Sequence, residues 1–133
     1  MINFIGLVLA AYASHYSDGI MQDVLHNRQT GQAWVSLPLD LPAYDGLIAV
    51  RDCAYLGEIW TIRPVGFPSW ERHLVVDCAR PAWYDGAREW MDANHIMVEV
   101  SFTTAERWGS VGKLAGIERL YGLEDLRYGT EKD

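Results

Sequence analysis

The chain is short of several things. Its 133 residues include two cysteines, five prolines and three phenylalanines, and eleven lysines and arginines stand against eighteen aspartates and glutamates. Two cysteines allow one disulfide at most. Cys53 and Cys78 also lie too far apart for the C-x-x-C spacing of a zinc or thioredoxin site, so one disulfide or two buried thiols are the choices. The shortage of basic residues leaves a formal charge of −7, a field that repels phosphate backbones and removes nucleic acid from the expected partners. No apolar run approaches the roughly 20 residues needed to span a bilayer. A glycine-rich phosphate loop and a G-x-S-x-G elbow are both missing, and His15, His26, His73 and His95 share no metal-ligand spacing. Neither a metal nor a cofactor is expected. Linkers, repeats and low-complexity tracts are absent as well, which leaves one domain over residues 1–123 and a polar tail over 124–133.

What is present suits a compact fold. Half of the residues are apolar, and a chain of this length buries roughly two-thirds of its unfolded surface, enough to form a core without staples. Six tryptophans and seven tyrosines combine flat apolar bodies with polar tips, suiting a core or an aromatic-lined groove. The N-terminal INFIGLVLAAYA stretch ends in small residues like a signal peptide but has no basic residue before its apolar run. Residues 1–9 therefore read either as signal-like or as the lead-in to a first strand within 7–16.

Downstream, Ile20, Met21, Val24 and Leu25 fall at helical spacing behind Ser17 and Asp18, predicting a helix over 18–29 with Asp18, Gln22 and Asp23 on a solvated face. A loop follows over 30–45. Short β-rich runs then cover 47–51, 59–63, 73–78 and 96–102, with a weaker closing strand over 114–120. Thr103 and Glu106 have the spacing of a capping box, predicting a helix over 103–108 that ends at Gly109. Short strands, few helices and frequent turns predict a small barrel, which closes its own edges.

The order of motifs carries a resemblance. Ala13-Ser14-His15-Tyr16, Gly46 to Val50, Leu56 to Ile62, Leu74 to Cys78, and Val98 to Ser101 with Ala105 and Trp108-Gly109 are similar to the barrel domain of rare lipoprotein A and its barwin and expansin relatives. The similarity covers about residues 10–120. It implies a mainly β fold, a six-stranded double-psi β-barrel with two or three short helices. It also implies a monomer that is exported to the cell envelope or outside the cell and acts on a cell-wall polysaccharide such as peptidoglycan. Active members cut β-1,4-linked glycans. In the lytic route the sugar's own C6 hydroxyl attacks the anomeric carbon, so one carboxyl can serve as both acid and base. The family's histidine falls by spacing on Arg51 or Asp52, and the aspartate of its Asp-Leu-Ser strand on Glu99. The missing histidine favours the alternative, a non-catalytic barrel that binds carbohydrate as expansins do, or binds a protein.

Within this resemblance Asp77, ending an apolar strand, is the expected general acid/base, with Asp52 or Glu99 as the second carboxylate of a catalytic pair. Export favours a Cys53–Cys78 disulfide, which would hold Asp52 and Asp77 on adjoining strands. Trp70, Trp83, Tyr84 and Trp90 lie in or beside the flanking loops, where rings can stack on sugars, whereas Trp60 and Trp108 read as core. Arg51 and Arg80 are candidates to bind ligand carboxylates.

Overall fold

A computed structural model describes residues 8–33, 35–79 and 86–121. The protein is mainly β. Its strands are β1 (Val8–Tyr16), β2 (Gly46–Val50), β3 (Ile59–Pro64), β4 (Glu71–Cys78), β5 (Ile96–Ser101) and β6 (Ala115–Leu120). Among the described residues three short α-helices accompany them: α1 (Asp18–Gln29), α2 (Ala87–Ala93) and α3 (Phe102–Trp108). The strands form one sheet in the order β1-β5-β2-β4-β3-β6, and β6 pairs back onto β1 to close it. β1 runs parallel to β5 and β2 parallel to β4, and the remaining pairs are antiparallel.

Alternation along the strands builds the interior. Trp60, Ile62 and Pro64 are buried along β3 while the residues between them are partly exposed, the period of two that a pleated strand imposes. In β4, His73 to Val76 are buried without a break, because α1 packs over the strand's outer face. Leu74, Val75 and Val76 join Ile48, Val50, Val98, Val100 and Ile117 in one core that includes Trp60 and Trp108.

Helix α1 starts where Ser17 Oγ accepts from the Ile20 N–H, the expected N-cap. It turns Met21, Leu25 and Arg28 inward. The capping box expected at Thr103 and Glu106 is replaced by a tertiary cap. Helix α3 begins one residue earlier, and the Thr103 N–H and hydroxyl both donate to the Asp18 carboxylate. Asp18, partly exposed at the start of the expected solvated face, is thus also a link between helices. α2 carries no helical signal in the sequence, since seven residues are too few to show a period; Ala87 and Met91, four apart, pack against Ala79 and Ile96. Gly46 admits no side chain, as a Cβ there would stand 2.8 Å from His73 Cε1.

The strand reading of the N-terminal run applies from Val8 onward. Residues 1–7, like the tail over 122–133, lie outside the described residues.

Candidate functional site

The register of four neighbouring strands sets out a row of side chains. Ala49 on β2 lies opposite Asp77 on β4 and opposite Glu99 on β5, and Glu99 lies beside Ser14 on β1. In-register neighbours share a face of the sheet, so two acids flank one small residue. Their Cα atoms are two strand spacings apart, roughly 10 Å. A bulge creates this arrangement: Ile48 pairs with Val75 but Ala49 pairs with Asp77, which leaves Val76 as the extra residue. Without it Val76 would stand opposite Ala49. Re-aiming one side chain is what such bulges do.

Above the row is a cavity of about 340 Å³ whose lining includes Tyr16, Asn27, Arg28, Gln32, Asp77 and Glu99. This is at the small end of the ~300–1,000 Å³ typical of ligand clefts. Arg28, only 4% exposed, reaches in from α1. Its Nε donates to the Val76 carbonyl at 2.6 Å, Nη1 to the Val35 carbonyl at 3.1 Å and Nη2 to Asp77 Oδ1 at 3.0 Å. The guanidinium therefore holds both the bulge and the acid next to it, and Asp77 keeps 25% of its side chain exposed.

Glu99 is in a different position. It is 7% exposed and forms no ion pair among the described residues. Burial pushes its carboxyl above the ordinary value, the neighbouring Tyr16 and Ser14 hydroxyls pull it down, and the nearby Asp77 charge pushes it up again. The two acids share a cavity yet differ in setting: Asp77 faces a cation and Glu99 faces hydroxyls.

The cysteines are joined as a Cys53–Cys78 disulfide. It ties the end of β4 to a single 3₁₀ turn, Cys53–Tyr55, that follows β2. Cys78 lines the cavity but Asp52 does not. Asp52 is instead half-exposed and paired with Arg51 at 2.9 Å, and Arg51 also holds Asp92 at 2.9 Å. The bond thus brings the two strand ends together without bringing the two acids into one cavity. Trp70 is also outside the lining, with the Arg63 guanidinium 4.0 Å above its ring. Trp90 is exposed on α2. Arg80, Trp83 and Tyr84 lie outside the described residues. Of the expected residues, Asp77 and Glu99 are brought together. Arg28, Tyr16, Asn27 and Gln32 are the cavity residues that sequence reasoning missed; an arginine on the buried side of an amphipathic helix is the signal that could have found the first.

A second polar cluster lies near the other end of β2. Glu71 accepts from His73 Nε2 at 2.9 Å, from Arg107 Nη2 at 2.7 Å and from Trp108 Nε1 at 3.2 Å. Burial alone would raise its carboxyl, but these donors outweigh it and set it at about 2. A cavity of about 240 Å³ beside Gly46 and Arg107 adjoins this cluster. Among the described residues no group of three or more His, Cys, Asp or Glu side chains is arranged to hold a metal ion, and no helix is long and apolar enough to cross a membrane.

No family model matches this chain, and no curated protein matches it significantly.

Proposed function

We propose that this chain is a double-psi β-barrel of the rare lipoprotein A type, exported from the cell, that binds a cell-wall polysaccharide such as peptidoglycan in the cavity around Ala49 without cutting it. A closed ring of six strands that mixes two parallel pairs with antiparallel ones supports the fold. The disulfide supports export, since such bonds persist in oxidising compartments. Hydroxyl, amide and carboxylate groups in one cleft suit the hydroxyl-rich face of a sugar.

One observation carries the choice of binding over cleavage: Asp77, the expected proton donor, is already engaged by the buried Arg28 guanidinium at 3.0 Å. That contact gives the carboxylate a structural task, holding the buried charge of Arg28 in place.

The raised Glu99 carboxyl favours a second reading. In it Glu99 protonates the glycosidic oxygen as the C6 hydroxyl attacks the anomeric carbon. The resulting carboxylate then takes the hydroxyl proton, giving an anhydro-sugar end. Mass spectrometry of purified peptidoglycan incubated with the protein separates the two. Retention on the glycan with no new fragments is the expected result. Anhydro-muropeptides formed by the wild type and lost with Glu99→Gln would replace binding by lytic cleavage.

A further inference from the structure

Among the described residues lining the main cavity, Arg28 is the sole cation and Asp77 and Glu99 are the carboxylates. Each arm of the guanidinium is occupied, by Val76, Val35 and Asp77. Two further arginines among the described residues have partners of their own. Arg88 Nε donates to the Ala79 carbonyl at 3.2 Å, and Arg51 is shared between Asp52 and Asp92. Glu99 is left as a carboxylate deep in a cleft, one strand beyond Ala49 from a second acid, with hydroxyl partners and no ion pair among the described residues. A buried carboxylate that lacks a counter-ion is costly, and a ligand that supplies one recovers that cost on binding.

We infer that the cavity selects glycans bearing free amino groups, with a protonated glucosamine-type amine seated against Glu99, which has no cationic partner among the described residues. This rests on the glycan-binding reading and narrows it. An N-acetylated sugar offers Glu99 only a neutral amide, a weaker partner than a charged N–H donor.

Calorimetric titration of the full chain with a glucosamine tetrasaccharide and with its N-acetylated counterpart tests this. The free-amine form is expected to bind about tenfold more tightly, its advantage shrinking as salt is raised. Glu99→Gln, checked for folding by circular dichroism, is expected to bring the two affinities together. Because the salt series uses only wild-type protein, the test stands even if the variant fails to fold. Equal affinities, or tighter binding of the N-acetylated form, would overturn the inference and leave glycan binding intact. So would a preference that persists at high salt or in folded Glu99→Gln protein. Failure of both oligosaccharides to bind would remove the glycan reading and this inference with it.

Discussion

Arg28 and Asp77 are 49 positions apart in sequence, yet the guanidinium of one places Nη2 3.0 Å from Oδ1 of the other. The same side chain satisfies the carbonyls of Val76 and Val35, so α1, the loop after it and the bulge in β4 all converge on one buried charge. Replacing Arg28 by Met keeps much of the packing but leaves a carboxylate and two carbonyls without their donor. The expected loss of stability is about 2–4 kcal/mol, less than for a fully enclosed pair because Asp77 reaches solvent. Urea denaturation checks it. A loss below about 0.5 kcal/mol, the size of an ordinary surface substitution, would contradict the clamp.

Glu99 gives a prediction of opposite sign. Its folded-state carboxyl titrates above the ordinary value of 4.5, so the folded chain holds a proton that the unfolded chain releases. The stability tied to that proton is complete at low pH and is lost as pH rises through the folded-state value. Glu99→Gln removes the ionisation. The variant should melt higher than wild type at pH 7, with the gap closing below pH 4.5, as followed by thermal scans across pH. A variant less stable than wild type at neutral pH would show that the buried charge is well compensated.

Glu71 behaves in the reverse sense. With its carboxyl lowered from 4.5 to about 2, its contribution is present above the unfolded value and disappears as pH falls from about 4.5 toward 2. Glu71→Gln should therefore be less stable than wild type at pH 7 and approach it in acid. Denaturation midpoints at pH 7 and pH 2.5 make the comparison. A gap that does not shrink would mean that the bonds to His73, Arg107 and Trp108 hold the neutral side chain equally well.

The disulfide closes a loop between Cys53 and Cys78, 25 positions apart. Chain entropy assigns such a loop roughly 3 kcal/mol. Cys53→Ala with Cys78→Ala should lower stability by about that amount, measured by guanidinium denaturation against the oxidised protein, and reduction of the wild type should have a similar effect. No change on reduction would contradict the assigned pairing.

These residues also mark how far the sequence could be read. Helix α1 and the strands follow from local spacing: Met21, Leu25 and Arg28 lie on one helical face, and the β-rich runs fall close to the strands. Thr103 and Glu106 misled because a tertiary donor-acceptor pair with Asp18 satisfied the helix end first. The site was half legible. Asp77 stood out as an acid ending an apolar strand and Glu99 through the family resemblance, but their meeting across Ala49 depends on one extra residue at Val76, and no local pattern announces that bulge. Asp52 seemed equivalent to Asp77 because each precedes a cysteine. Adjacency to a disulfide fixes the backbone, not the direction of the neighbouring side chain, and Arg51 draws Asp52 to the surface.

The most direct test of the account is a nitrogen-15 NMR titration of the full chain with peptidoglycan oligosaccharides. Saturable shifts concentrated at the backbone amides of Arg28, Ala49, Asp77, Ala79 and Glu99, and weakened by Glu99→Gln, are the predicted result. Absence of shifts, or shifts confined to the opposite end around Gly46, Thr104 and Arg107, would contradict a glycan site in the cavity between Asp77 and Glu99.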